Sequence, residues 1–422
     1  MNDTNIDLVA VQRRTLRLLF VTQIISGVGV AIGASVGALL AADLAGVTVS
    51  GFALSAVVVG SALLALPAAE IVRRSGRRLS LATTYLVAAV GAVVVVGAAM
   101  QESIALLFVG FFLFGGGTAA GMQARYAAVD LAPAPLRGRH LSVIFWATTL
   151  GAVAGPNLAA VAGASLAKYG VPTLAGPFVF SAALFVLAAL VLMVLMRPDP
   201  AVLARQAVAQ STESAEDRTR GGMRAALAVV IAQPSARLGV IAMAVGHVVM
   251  IAVMAMTPVH IRNAGHDAAH TLRIVGVVLS VHVAGMYAFS PVIGWLTDRF
   301  GRRPIIVAGL VFLLAACALA GTAGHNSPRL AAGLMALGIG WSSTVVAGST
   351  LLSDKIAADL RPSAQGLSDL TMGLAGASAG ALSGVFMQAW GYSTLALIVA
   401  LAAAPFIALA ARRPTLVAGA AR

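Results

Sequence analysis

Stretches of about 20 consecutive apolar residues recur along this whole sequence, each long enough to cross a hydrocarbon layer about 30 Å thick as a helix. That recurrence constrains the fold more than any motif. Inside lipid a segment must satisfy its own backbone, and the strands of a barrel would be shorter and alternating, so only helices fit. Spans are expected near 16–40, 50–72, 79–100, 103–127, 140–166, 174–196, 237–258, 272–294, 303–322, 328–351, 363–387 and 391–411. Composition agrees: 59% of the 422 residues are hydrophobic and only 10% are charged, against about 25% charged in a soluble domain. The polar first fifteen residues run into a long apolar stretch with no small-residue cleavage site, which reads as a first span and not as a removable signal. The single cysteine, Cys317, sits in an apolar run, so no disulfide framework is available.

The net charge of +13 invites a nucleic-acid reading, but its placement argues against one. Of the 28 Lys and Arg residues, 23 fall at the amino end, in alternate loops, in the central loop and at the carboxyl end. Lys168, Arg262, Arg273 and Arg329 fall in the intervening loops, and Arg125 lies within a span. This bias places both termini in the cytoplasm. It explains the charge by topology and anionic lipid, with no nucleic-acid partner.

A polar stretch over residues 197–236 divides the chain into an N-terminal six-helix bundle, 1–196, and a C-terminal one, 237–422. The stretch reads as a cytoplasmic linker, whose part from Arg218 to Ala232 has the pattern of an amphipathic surface helix. The halves repeat: Arg74-Ser75-Gly76-Arg77-Arg78 after span 2 echoes Asp298-Arg299-Phe300-Gly301-Arg302-Arg303 after span 8, at an offset of 225 residues. Leu136-Arg137-Gly138 echoes Ala364-Gln365-Gly366 at 228. Duplicated transporters place their solute site between the repeats, near the bilayer midplane.

The run from Gly294 through Asp298, Arg299, Gly301, Arg302 and Arg303 resembles the loop motif G-x-x-x-D-R-x-G-R-R of the major facilitator superfamily. The resemblance covers nearly the whole chain. It implies an all-α membrane protein of that fold: twelve transmembrane helices in two pseudo-symmetric six-helix bundles, rocking between inward- and outward-open states. It also implies that the loop is a conformational latch, with Arg74, Gly76, Arg77 and Arg78 as its first-half copy. That copy departs from the pattern, because Ala69 replaces the glycine and Arg73 the acid, with Glu70 a turn away. In span 5, Gly155-Pro156 resembles the Gly-Pro motif of the superfamily's exporters and is expected to bend its helix. The glycines of spans 1 and 11 (Gly29, Gly33, Gly37; Gly376, Gly380, Gly384) read as packing stripes.

Span 7 concentrates methionine: Met243, His247, Met250 and Met254 are spaced 4, 3 and 4 and share one helical face. Span 8 adds His282 and Met286. Helical rise puts Met250 about 20 Å and His282 about 18 Å from the cytoplasmic ends of their spans, at one level. Soft thioether and imidazole donors suit a cuprous ion. Met250/Met254 and His282/Met286 are similar to the M-x-x-x-M and H-x-x-x-M pairs of the superfamily's copper-importing branch that serves cytochrome oxidase assembly (CcoA-like importers), and that resemblance implies a copper-ligand role for the four. Three readings of the cluster stay open: copper import, a proton-coupled or organic-solute role for His282, and packing, since methionine also fills gaps in apolar cores. His260, His266, Asp267 and His270 crowd one outer loop, as a metal-collecting mouth or as a solvated loop.

Arg125, Asp130 and Asp369 are candidates for coupling or gating. Arg125 must face the interior or pair, and Asp130 is its nearest acid in sequence. The superfamily's usual arginine early in span 4 has no counterpart here. No nucleotide loop, no helical His-Glu metalloprotease pair and no sizeable soluble domain is present, so an enzyme is not expected. No cofactor is expected. The sequence therefore predicts a monomeric secondary transporter in the cytoplasmic membrane, in contact with lipid, carrying a metal ion or a small molecule. Copper import and a proton-coupled exporter or carrier of a small organic molecule or drug are the two versions.

Overall fold

The computed structural model describes residues 7–133, 136–210, 223–265, 267–354, 356 and 361–411. Among the described residues every regular element is a helix. The first half comprises α1 (Leu8–Ala45), α2 (Val47–Ser75), α3 (Arg77–Met100), α4 (Ile104–Phe114), α5 (Gly116–Ala127), α6 (Arg137–Ala167) and α7 (Gly176–Leu195). Two short helices follow, α8 (Pro200–Gln210) and α9 (Met223–Ala232). The second half comprises α10 (Pro234–Arg262), α11 (Ala268–Tyr287), α12 (Ser290–Phe300), α13 (Arg302–Gly321), α14 (Ser327–Asp354), α15 (Arg361–Ala403) and α16 (Pro405–Ala411).

Among the described residues eleven runs are long and apolar enough to cross a membrane; α4 with α5, and α11 with α12, form one span each. The last run, Ala364–Ala411, is 48 residues long. It holds two spans, because Gly391 leaves the helical region at φ +78° and reverses the chain. Twelve spans result, in two bundles. Span parity then defines two faces: a terminal face, where α1 begins and α16 ends, and a far face.

Lipid supplies no hydrophobic force between helices, so close backbone packing of small residues does the work. Gly151 and Gly155 on α6 show how: a Cβ on Gly151 would stand 2.7 Å from the Ile24 carbonyl oxygen, and one on Gly155 would stand 2.9 Å from that of Val28. These glycines seat α6 on α1. Pro156 lies within α6, which runs on continuously from Arg137 to Ala167. Bulk fills the first half elsewhere: Tyr85, Phe111, Phe114, Phe178 and Phe185 are fully buried, with Phe114 and Phe185 edge to face at 5.4 Å between centroids.

The two halves meet along α2–α15 and α6–α11. A Cβ on Gly51, in the first turns of α2, would stand 2.2 Å from the Gly380 carbonyl oxygen of α15, and one on Gly384 would stand 2.7 Å from the Thr48 carbonyl oxygen. Ser55 donates its hydroxyl to the Ala377 carbonyl at 2.6 Å. On the other side, Asn157 of α6 donates to Ser280 of α11 at 2.6 Å. Ser280 in turn donates to the Val153 carbonyl at 2.7 Å. Arg262, at the far end of α10, pairs with Asp43 at the far end of α1. These contacts lie between the membrane middle and the far face. Nearer the terminal face this close contact does not continue: a Cβ on Gly373, two turns before Gly380 on the same face of α15, would meet nothing within 4 Å. The molecule is closed at the far face and parted toward the terminal one.

The duplication is visible in the backbone. Gly76 and Gly301, 225 residues apart, both turn the chain at φ +93°, a region that glycine enters without steric cost. After each turn an arginine reaches an acid of its own half: Arg77 Nε lies 2.8 Å from Asp130, and Arg302 Nε lies 2.9 Å from Asp354.

The stretch after residue 196 is more structured than its polar composition led us to expect. Asp199 Oδ1 caps α8 through the Ala201 N–H at 2.9 Å, while its Oδ2 accepts the Arg78 N–H at 2.8 Å. Arg205 donates to the carbonyls of Val72 at 3.0 Å and Arg73 at 2.8 Å. Thus α8 is clasped to the α2–α3 turn. Of the expected surface helix, Met223–Ala232 is α9, whose Ala226 and Val230 cover Ala236, Met243 and Leu352 at the terminal end of the second half; residues 218–222 lie outside the described residues.

Candidate functional site

A titratable or polar group within a membrane span is costly unless it is paired, so such groups mark sites. Several converge where the halves part. Helix α10 brings His247 and α14 brings Trp341, whose indole N–H donates to His247 Nδ1 at 3.0 Å. The neutral imidazole then carries its own hydrogen on Nε2. Tyr287, at the end of α11, stands edge-on to Trp341 with centroids 6.0 Å apart and planes at 75°. Gly376 on α15 makes the room that His247 fills: a Cβ there would meet its Cδ2 at 2.6 Å. From the first half α5 contributes Arg125, within electrostatic reach of Tyr287 and of Asp369 on α15. His247, Tyr287, Trp341 and Arg125 are half-buried, and Asp369 is exposed. A cation, a carboxylate, an imidazole and two aromatic rings, drawn from both halves, are thus linked in one series, His247 to Trp341 to Tyr287 by ring and hydrogen-bond contact and Arg125 to Tyr287 and Asp369 by charge. Such a set can hold a solute and can exchange a proton.

The methionine and histidine stripe does not converge in this way. His247 joins the cluster. Met243 turns toward α15 and α14, its sulfur accepting from the Ser368 hydroxyl at 3.6 Å and lying beside Gly348. Met254 faces the first half, in a cavity of about 70 Å³ with Phe111, Phe114 and Phe178. Met250 and Met286 are buried in the apolar core. His282 is fully buried and turned to α14, its Nδ1 2.8 Å from the Leu334 carbonyl oxygen. A shared helical face spreads over an arc about 100° wide, enough to send its members to different neighbours.

In the outer loop His260 stacks on Tyr392 at 4.3 Å and lies 2.9 Å from the Gly324 carbonyl oxygen. Asp267 caps α11 through the His270 N–H, a bond that holds its carboxyl below the usual carboxylate range. His266 lies outside the described residues. Among the described residues, no group of three or more His, Cys, Asp or Glu is placed to hold a metal ion.

Asp130, the acid nearest Arg125 in sequence, is taken by Arg77: besides the 2.8 Å contact, Arg77 Nη2 donates to Asp130 Oδ1 at 3.2 Å. Arg77 Nη1 also donates to Gln123 at 2.9 Å. In the second-half loop Asp298 is 3.7 Å from Arg302, and Arg299 lies over the Trp295 ring at 5.3 Å. In the first-half copy Arg73 and Arg74 both pair with Glu70. Beside this turn Asp199 accepts the Arg78 backbone N–H, while the Arg77 side chain pairs with Asp130. Trp341, Tyr287, the Arg262–Asp43 pair and the buried Gln12 and Gln23 of α1 were not singled out from the sequence as site residues. Glutamine within a span was the available signal: Gln12 donates to the Ala128 carbonyl at 2.8 Å and Gln23 to Thr148 at 3.0 Å.

The sequence model of the Major Facilitator Superfamily matches residues 18–272 and 265–419. The chain belongs to that superfamily. Like its fellow members it is a transport protein and not an enzyme. Within the superfamily it is 38% identical over 388 residues to the uncharacterised MFS-type transporter YdeG of Bacillus subtilis (strain 168), covering 92% of this chain and 88% of the relative. It is 27% identical over 387 residues, 91% of each, to the riboflavin transporter RfnT of Brucella anthropi. Among solved structures, a bacterial homologue of the human lysosomal transporter Spinster, inward-facing and unoccupied, superimposes with a TM-score of 0.74 at 16% identity over 95% of each chain. The D-xylose–proton symporter gives 0.67 at 17% identity over 93% of this chain and 97% of its own. These superfamily structures share the two-bundle fold.

Proposed function

We propose that this protein is a proton-coupled carrier of a small organic solute in the cytoplasmic membrane. It works as a monomer by alternating access, with both termini in the cytoplasm. The supporting observation is the cross-half cluster. Arg125 comes from one half and Asp369, Tyr287, Trp341 and His247 from the other, so whatever binds between them is sensitive to how far the halves are parted. Asp369 is the coupling group: charged, it attends Arg125; protonated, it releases the guanidinium. The paired loops act as the latch. Gly76 and Gly301 make the turns, while the Arg77–Asp130 and Arg302–Asp354 pairs hold each turn to its own bundle. The basic bias of the terminal face supports its cytoplasmic side. The RfnT relative supports an organic solute, and the dispersal of Met243, Met254 and His282 favours that solute over copper.

The test is flux. In proteoliposomes carrying the purified chain and a trapped pH dye, a library of organic solutes is expected to contain at least one that collapses or builds a proton gradient. Asp369→Asn is expected to abolish the proton signal while still exchanging the solute. Silence across the library, with cuprous ion uptake lost in Met250→Ala/His282→Ala, would replace this reading with copper import.

A further inference from the structure

Resting on that reading, we infer that the solute is a planar aromatic carboxylate, its ring against Trp341 and Tyr287 and its anionic group on Arg125. Three observations carry the assignment. First, the half-buried surface of the site is aromatic: the indole and the phenol stand edge to face, 6.0 Å between centroids, a corner that a flat ring fills by stacking on one face and meeting the other's edge. The indole N–H is already given to His247, so what Trp341 offers a ligand is its ring. Second, the basic group at that place is an arginine. Its planar fork of five donors matches a carboxylate, and it can accept one beside existing partners. Third, among the described residues Asp369 is a carboxylate in electrostatic reach of that arginine across the halves. A solute carboxylate bound beside an ionised Asp369 therefore puts two negative charges against one cation. The groups that bear on this balance are Arg125 and Tyr126 from α5, Tyr287 from α11, and His247 from α10. Binding of the anion is favoured when Asp369 carries a proton, so solute and proton travel together. A cation would meet Arg125 unfavourably, and an aliphatic acid would leave the aromatic corner half-filled.

Tryptophan fluorescence reads the site directly. The chain has four tryptophans. Trp146, Trp295 and Trp390 are 66%, 56% and 58% exposed, while Trp341 is half-buried beside Tyr287, and the Trp341→Phe variant separates its signal from theirs. The full chain in nanodiscs is titrated with 4-nitrobenzoate and 4-nitro-1-naphthoate, planar acids that quench indole, and with 4-nitrobenzylamine as the cationic control. Saturable quenching by an acid is expected, absent in Trp341→Phe, deepened at mildly acidic pH, and about tenfold weaker in Arg125→Gln, the loss of one charge-assisted pair. In wild-type protein, benzoate is expected to displace the quencher better than cyclohexanecarboxylate, a comparison that needs no variant. Saturation by the amine as well as the acids, equal competition by the two unlabelled acids, or no saturable quench by either nitro acid would overturn the assignment. Proton-coupled flux of another organic solute in the same preparation would then leave the carrier reading standing; loss of that flux as well would remove both.

Discussion

At the scale of single residues the ion pairs beside the loop turns are the sharpest feature. Arg77 and Asp130 are only 13% and 16% exposed, and the pair is two-pronged. Removing one member strands the other in a poorly hydrated place, which costs on the order of 3 kcal/mol for a buried pair. Arg77→Ala is therefore expected to lower the melting temperature in detergent by several degrees. The exchanged pair Arg77→Asp/Asp130→Arg should recover part of the loss. Equal melting temperatures for wild type and Arg77→Ala would show the pair to be idle. The turn glycines were legible beforehand, because a repeated basic turn with a central glycine says what the backbone must do. The ion pair was not, because its members are separated by 53 residues; sequence proximity pointed Asp130 at Arg125 instead.

At the scale of elements the clasp between α8 and the α2–α3 turn decides how the linker leaves the first half. Asp199 serves two helices at once, capping α8 and accepting from Arg78. Gly76 has no room for a side chain beside it, since a Cβ would stand 2.5 Å from the Asp199 carboxyl carbon. Asp199→Ala removes all three of its bonds, to the N–H groups of Arg78, Ala201 and Val202, at about 1–2 kcal/mol for a lost cap. Faster proteolysis within 200–210 is expected, with span helicity unchanged; an unchanged cleavage rate would count against the clasp. The same scale explains why the methionine stripe misled. Spacing fixes which residues share a face, but α10 is mostly apolar, so its pattern does not say which neighbour each sector meets. One sector meets α14 and α15, another the phenylalanines of the first half. Trp341 was hidden for a related reason: in an apolar span an aromatic ring reads as lipid-facing until a polar partner is seen beside it.

At the scale of the whole molecule the span count, the two bundles and their duplication were written in hydropathy and in the repeated turns. The parting of the halves was not, because it depends on contacts between segments more than 300 residues apart, such as Ser55 with Ala377. Gly51→Leu and Gly384→Leu put bulk where backbones touch. Each is expected to bias the population toward a far-face-open state. The readout is labelling of Ser55→Cys by a membrane-impermeant maleimide, in a Cys317→Ala background that removes the native thiol. Wild-type labelling rates in both leucine variants would mean that the α2–α15 contact does not govern access.

Backbone-to-backbone touching of this kind has a short reach. Dispersion between two helices fades once they draw apart by about an ångström, while the attraction of Arg262 for Asp43 persists over several more. Separation of the far ends should accordingly behave like a snap and not a slow slide: almost all resistance is met at the outset, and a lingering electrostatic tether then guides the ends back into register.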